Sequence, residues 1–251
     1  MSRLFQLTAH LLPLTGCAVT PLSNRIAVGE EAFVIGVGEG ADSMTDLYAA
    51  PAAGGTFVRL TFTRAAEQLP RLAPSGTAVA FVRHESGADS TRWSVVILDL
   101  RSNVERSARL PPGSAPPTRI GWNPDETGVV VQAGGYLTLP AEGARTLSPV
   151  PLSRFPSADS MTGELLGDPP AAMVRECANG ELCIAAASGE VGLLAAGAGG
   201  AIRWGGDSIG YFTARGFEVR PLAGGNSRHP DWSGKPSRLR NLTHHPGMPS
   251  R

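Results

Sequence analysis

Two of the three cysteines in the chain are spaced for a disulfide. Cys177 and Cys183 flank Asn179-Gly180, a dipeptide that favours a two-residue hairpin turn because both central positions of such a turn need a positive φ. That turn would bring the strand ends side by side, within reach of a disulfide. The alternative is two free buried thiols. A metal site is disfavoured because no second Cys or His pair stands at zinc spacing. We predict a Cys177–Cys183 disulfide.

Other residues that could do chemistry are dispersed, and the sequence has no nucleophile elbow, zinc-protease motif or phosphate-binding loop. A metal site combining His229 with His244 or His245 is a weaker alternative to solvated loop histidines. The spacing Gly36-x-Gly38 is better explained by a strand than by a dinucleotide loop. Aspartates fall mostly in predicted turns, where a carboxylate bonds its own backbone: Asp42, Asp46, Asp89, Asp99, Asp125, Asp159, Asp168, Asp207 and Asp231. We predict no catalytic residue, metal or cofactor.

The N-terminus has the layout of an export signal. Arg3 precedes a short apolar stretch and then small residues, and the stretch is too short to span a membrane. Leu14-Thr15-Gly16-Cys17 resembles the bacterial lipobox, which implies that Cys17 is lipidated. We expect a leader at 1–16, a linker at 17–24 and a periplasmic protein anchored to the membrane by its N-terminal lipid. Export by another route and a cytosolic start are the alternatives.

The charge balance argues against nucleic-acid binding. The 22 basic and 22 acidic residues cancel, whereas phosphate-binding proteins usually show a basic excess or stripe. The 31 glycines and 21 prolines are typical of many short strands joined by tight turns.

A turn-and-strand unit recurs along the chain. Segments 73–82, 122–131 and 202–212 each combine a polar turn, built on Pro, Gly or Asp, with a short apolar run of β-prone residues. In the second copy, Glu126 replaces the turn glycine. A further strand and a Gly-rich turn often follow, and then a closing Leu-Thr such as Arg59-Leu60-Thr61.

This unit resembles the repeat of TolB-like and related WD-type β-propellers, in which a Pro-aromatic-Ser-Pro-Asp-Gly turn precedes two apolar strands, a Gly-Gly turn and Arg-Leu-Thr. Residues 70–81 are the closest copy and residues 117–125 the next. The resemblance implies an all-β propeller of about five, or six, blades of three to four antiparallel strands. Such blades bury their faces by stacking around an axis.

We place the propeller at 25–245, with blades near 25–61, 66–110, 116–148, 171–198 and 199–245 and a C-terminal tail at 246–251. We expect the ring to close by pairing of a strand within 26–37 with the segment 239–243. A β-sandwich or barrel of similar strand content is the main competitor, and it has no need of a repeating turn unit.

The four tryptophans divide into two groups. Trp122 and Trp204 occupy equivalent repeat positions, which favours packing between blades. Trp93 and Trp232 lie beside polar turns and, if exposed, are candidate anchors of a protein interface together with Arg92 and Arg228. Partial burial at a blade edge is the equal alternative.

A propeller offers a broad rigid face whose loops make contacts without requiring chemistry. We therefore expect a non-catalytic interaction or scaffold module, an accessory subunit docked on the periplasmic side of a membrane or envelope assembly. The alternative is an enzyme or small-ligand binder, for example glycan-directed, that uses the axial channel.

Overall fold

The computed structural model describes residues 21–40, 44–86, 91–123, 125–150, 164–166, 172–176, 182–186, 191–195, 199–205, 207–223 and 225–248. Within these ranges the chain is all-β, and its one helix is the 3-10 turn Leu22–Asn24. No helix in these ranges is long and apolar enough to cross a membrane. The predicted leader lies outside them, whereas Leu22, in the predicted linker, is buried in the core.

Twenty-one strands are formed in the described ranges. They are β1 (Phe33–Glu39), β2 (Thr45–Pro51), β3 (Gly54–Thr56), β4 (Val58–Arg59), β5 (Ala66–Leu72), β6 (Ala78–Ser86), β7 (Thr91–Asp99), β8 (Glu105–Arg109), β9 (Arg119–Trp122), β10 (Gly128–Gln132), β11 (Tyr136–Pro140), β12 (Ser148–Pro149), β13 (Glu164–Leu166), β14 (Ala172–Glu176), β15 (Leu182–Ala186), β16 (Val191–Ala195), β17 (Gly199–Trp204), β18 (Ser208–Thr213), β19 (Gly216–Pro221), β20 (Asp231–Ser233) and β21 (Ser237–His245).

Four sheets have four antiparallel strands each, in the orders β21-β1-β2-β4, β5-β6-β7-β8, β12-β11-β10-β9 and β13-β14-β15-β16. We call them the first, second, third and fourth sheets. The strands β17-β18-β19 form a three-stranded sheet, and β20 pairs in parallel with β3. The described residues thus contain four complete blades, not the five or six expected. The next strand after β19 is β20, which pairs with β3 and does not add a fourth strand to β17-β18-β19.

Each sheet contacts its neighbours through one edge strand, and these inner strands are β9, β5, β21, β17 and β13. In the first sheet β21 contacts β5 of the second sheet, and β5 in turn contacts β9 of the third. On the other side β21 contacts β17, and β17 contacts β13 of the fourth sheet. A succession of sheets that meet through their inner strands is the arrangement of a β-propeller.

Both faces of the second sheet are buried, which distinguishes the fold from the competing sandwich. Side chains alternate between the two faces of a strand. Val79 and Phe81 of β6 therefore join a core shared with the first sheet, whereas Ala80 and Val82 join a core shared with the third. A two-sheet sandwich buries one face of each sheet. The second sheet lies between two others, as stacked blades do.

The C-terminal strand closes the ring, as the sequence predicts. Strand β21 pairs antiparallel with β1, with Phe33 opposite His245 and Glu39 opposite Ser237. Gly36 and Gly38 lie in β1, which confirms that their spacing belongs to a strand. A Cβ on Gly38 would approach the ring of Pro236 to 2.3 Å, so the close approach of the two chain ends requires glycine there.

Candidate functional site

A cluster of charged and hydroxyl side chains is buried in the seam between the first and second sheets. We call it the seam cluster: Asp46, Arg59, Thr61, Glu67 and Arg83. Asp46 and Glu67 are both 0% exposed, which is rare for carboxylates unless they are paired. Asp46 belongs to β2 and Arg59 to β4, whereas Glu67 and Arg83 come from β5 and β6.

Asp46 is held from its own sheet. The Nη2 of Arg59 lies 2.5 Å from Asp46 Oδ2, and Thr61 Oγ1 lies 3.4 Å from Oδ1. Arg59 also donates from Nε to the carbonyl oxygen of Thr61 at 2.9 Å. The arginine therefore neutralises the carboxylate and fixes the residue whose hydroxyl contacts it.

Glu67 is held from the second sheet. Arg83 donates to Glu67 Oε1 from Nε at 3.1 Å and from Nη2 at 2.8 Å. Arg83 also donates to the carboxylate of Glu105 in β8 at 2.7 and 2.8 Å. Glu67 Oε2 is hydrogen-bonded to Thr61 Oγ1, so one hydroxyl touches both buried carboxylates.

Burial governs the titration of this cluster. Desolvation, with a smaller contribution from the charge of Asp46, raises the pKa of Glu67 to about 7, against the lowering effects of its bonds to Thr61 and Arg83. Burial of Arg83 acts to lower its pKa, but the hydrogen bonds and charges of Glu105 and Glu67 outweigh burial, and the pKa of Arg83 is raised. Arg83 is therefore a permanent cation, and Glu67 is the group that changes charge near neutral pH.

Sequence analysis missed this cluster. We predicted a turn at Asp46, but it lies within β2, which begins at Thr45. Glu67 carries no local signature, since its partners come from distant segments. The one available signal was the repeat motif Arg59-Leu60-Thr61, in which Leu60 is buried in the core and its two neighbours face Asp46.

Two of the predicted interface residues lie on the hairpin of β6 and β7. Strand β5 pairs with β6 as far as His84, and strand β8 pairs with β7 as far as Ser94. The hairpin continues past both with Glu85 opposite Arg92. Arg92 is exposed. Trp93 is partly buried and stacks on His84, with ring centroids 4.2 Å apart and planes 18° apart.

The other two predicted interface residues lie elsewhere in the molecule. Trp232 is only 7% exposed, and its Nε1 donates to the carbonyl oxygen of Pro51 at 2.8 Å. Its ring packs against Phe57, Trp204 and Phe217. This placement corresponds to the alternative expectation, burial at a blade edge. Arg228 is exposed, and its backbone pairs with Val219.

The cysteine predictions fall partly outside the described residues. Cys17 and Cys177 lie there, so lipidation and the partner of the disulfide stay predictions. Cys183 lies in β15 and is disulfide-bonded. A hairpin does enclose Asn179-Gly180, but Glu176 pairs with Leu182, whereas a plain two-residue turn would align Glu176 with Cys183.

The C-terminal histidines are strand residues, not the solvated loop residues we expected. His244 stacks on Trp204 at 4.2 Å, and its pKa is lowered to about 4, first by burial and then by the charge of His245. His245 is buried against Phe33. In the described part of the chain no group of three or more His, Cys, Asp or Glu residues is placed to hold a metal ion.

The turn aspartates behave largely as predicted. Asp99, the last residue of β7, accepts at Oδ1 from the backbone of Arg101 and Ser102 in the turn that follows, and Asp125 Oδ1 accepts from the backbone of Thr127. Asp207 also lies in a turn. Like Asp46, Asp231 departs from the prediction, because it begins strand β20. Its segment pairs with β3 where we expected a loop. Asp42, Asp89, Asp159 and Asp168 lie outside the described residues.

No protein-family model and no curated protein matches the chain. Similar solved structures include TolB from Acinetobacter baumannii, 11% identical with a TM-score of 0.43, over 85% of this chain and 66% of that one. A protein provisionally named TolB from Agrobacterium tumefaciens is 11% identical with a TM-score of 0.35, over 80% of this chain and 69% of its own.

A third similar structure, from Bacteroides fragilis NCTC 9343, is provisionally named a 6-phosphogluconolactonase. It is 8% identical with a TM-score of 0.35, over 85% of this chain and 98% of that one. The chain spans just under two thirds of the Acinetobacter TolB. Similarity at this level concerns the fold alone, and the fold stands on the sheets described above. By those sheets the chain is a β-propeller, and TolB proteins are among the solved structures that resemble it.

Proposed function

We propose that the chain is a non-catalytic β-propeller that binds a protein partner, as an accessory subunit docked on the periplasmic side of a membrane or envelope assembly. The projecting hairpin of β6 and β7 is the observation that carries this proposal. A hairpin that extends past its neighbouring strands, with an exposed arginine on one face and a stacked Trp–His pair on the other, has the composition of an interface anchor.

The buried charges support a scaffold rather than a reaction centre. Asp46 pairs with Arg59, and Glu67 pairs with Arg83, inside the seam between two sheets. Each ion pair lies within one sheet, and the Thr61 hydroxyl joins the two carboxylates across the seam. The loops at the blade ends are left as the surfaces for contact.

We further propose that the three-stranded sheet β17-β18-β19 is a fifth blade. Its first strand touches β21 and β13 on either side, where a blade would stand. Arg228 exchanges two backbone hydrogen bonds of 2.8 Å with Val219 along the outer edge of β19. Arg228 thus stands where a fourth strand would pair with β19.

The proposed location rests on the leader. Its layout and the Leu-Thr-Gly-Cys17 sequence favour export and lipidation, and Cys183 in a disulfide is compatible with an oxidising compartment. Bacterial lipoproteins carry several acyl chains, enough for stable anchoring where a single chain binds weakly. The propeller would then be held close to a membrane assembly.

Affinity purification of the native protein after membrane solubilisation tests the proposal, with co-purifying chains identified by mass spectrometry. We expect a defined partner to be recovered, and Arg92→Glu to reduce its recovery about tenfold because a reversed charge at an anchor opposes docking.

The matched control is Arg215→Glu, which reverses an exposed arginine in the β18–β19 turn. It should leave recovery of the partner unchanged. A protein recovered alone, or one that retains its partner equally in both variants, would argue against docking through this hairpin.

A further inference from the structure

We propose that Glu67 holds a proton in mildly acidic solution and that this proton completes a hydrogen-bond chain from Glu67 through Thr61 to Asp46. Loss of the proton would break the chain, so the seam between the first and second sheets is a pH-sensitive joint. The inference concerns the seam itself and does not depend on the proposed interaction role.

The hydrogen-bonding capacity of Thr61 leads to this inference. A hydroxyl has one proton and two lone pairs. The backbone N–H of Leu47 occupies one lone pair at 2.9 Å. The remaining contacts of the oxygen are to Glu67 Oε2 and, at 3.4 Å, to Asp46 Oδ1.

If both carboxylates were ionised, two acceptors would compete for the single hydroxyl proton. If Glu67 is protonated, it donates to Thr61 Oγ1, and the hydroxyl proton is then available to Asp46. Every lone pair and proton of the hydroxyl is used in that arrangement. Because these atoms are buried, an unfilled contact is costly, so the geometry favours the protonated form.

The charges around Glu67 point the same way. Asp46 of β2 and Arg83 of β6 face it directly, with Arg59 of β4 and Glu105 of β8 as the next partners. With every group ionised these five carry a net charge of −1, and one proton makes the set neutral. Strands β1 and β21 also pack on β5, and their ends carry their own ion pair, Arg238 with Glu39 at 2.9 Å.

The sign of the pH effect follows from linkage. Because the pKa of Glu67 is raised from 4.5 to about 7 on folding, its stabilising contribution is full below pH 4.5 and is lost as the pH rises through 7. His244 has the opposite effect, since its pKa falls from 6.5 to about 4 and its contribution is lost on acidification. The two effects overlap and must be separated by substitution.

The direct measurement is the titration of glutamate side-chain carboxyl groups by carbon-13 NMR on the wild-type chain. The Glu67 resonance is assigned as the one that is absent in Glu67→Gln. We expect it to titrate well above the ordinary value, near pH 7. Titration near 4.5 would overturn the proposal. Sequential assignment of the wild-type resonances identifies Glu67 even if the variant does not fold.

Urea unfolding between pH 4.5 and pH 7, the span of the Glu67 shift, supplies the second readout. Relative to Glu67→Gln, the unfolding equilibrium constant of the wild type should rise on the order of a hundredfold over this range. His244 is present in both chains, so its effect cancels in the comparison. Glu39→Gln is the matched control, because it removes a carboxylate of the separate ion pair with Arg238 and should retain the wild-type pH dependence. If the unfolding equilibrium constants of the wild type and Glu67→Gln change in parallel with pH, the proposed pH sensitivity of the seam is wrong.

Discussion

At the scale of single residues, Glu126 shows how a departure from the repeat is compensated. Gly76 in the first copy has a φ of 69°, and Glu126 takes the same left-handed conformation with a φ of 57°. A residue with a Cβ adopts it at a cost of about 1 kcal/mol. The carboxylate of Glu126 accepts hydrogen bonds from Ser75 N at 2.5 Å and Ser75 Oγ at 2.7 Å. These bonds link the turns of the second and third sheets.

Two substitutions at this position separate strain from contact. Glu126→Ala keeps the strained backbone and loses both bonds, so its free energy of unfolding should fall by about 1–2 kcal/mol. Glu126→Gly loses the bonds but relieves the strain, so it should lie within about 0.5 kcal/mol of the wild type. Urea denaturation at neutral pH measures both. An alanine variant as stable as the wild type would mean that the bridge contributes nothing.

At the scale of elements, the segment that carries β20 fastens the three-stranded sheet to the first sheet. Trp232 fills the space between Phe57 on one side and Phe217 on the other, and its indole N–H reaches the backbone of Pro51. An anchor waiting for a partner would be exposed, whereas this ring belongs to the interior.

Truncation of that ring tests the assignment. Trp232→Ala should lower the free energy of unfolding by about 3–5 kcal/mol, because it opens a cavity in a packed core. Trp232→Phe should cost about 1–2 kcal/mol, since it keeps an aromatic ring and loses one hydrogen bond. Phe62→Ala, at a ring 56% exposed, is the control and should change stability by less than about 0.5 kcal/mol. Wild-type stability of Trp232→Ala would contradict the assignment of Trp232 to the packed core.

At the scale of the whole molecule, the resemblance of the turn-and-strand unit to the TolB-like repeat predicted an all-β propeller and the pairing of its first and last strands, although not the number of complete blades. Turn chemistry and alternation are local, and a repeat reports that each sheet has equivalent neighbours. The seam cluster was beyond reach because Asp46 and Glu67 meet only after the first two sheets stack. Trp232 was ambiguous for the same reason, since its polar sequence neighbours do not reveal that β20 crosses to β3.

The central claim is that the chain forms a ring of sheets closed by its last strand. Glu39→Cys and Ser237→Cys place thiols on directly opposite positions of β1 and β21 at the accessible end of the pair. Opposite Cα atoms of antiparallel strands lie roughly 4.5–5.5 Å apart, within disulfide range. Mild oxidation followed by peptide mapping should recover a 39–237 disulfide, whereas Glu39→Cys with Arg215→Cys should give none. Failure of the 39–237 pair to form, or equal bonding in the 39–215 pair, would contradict a closed ring.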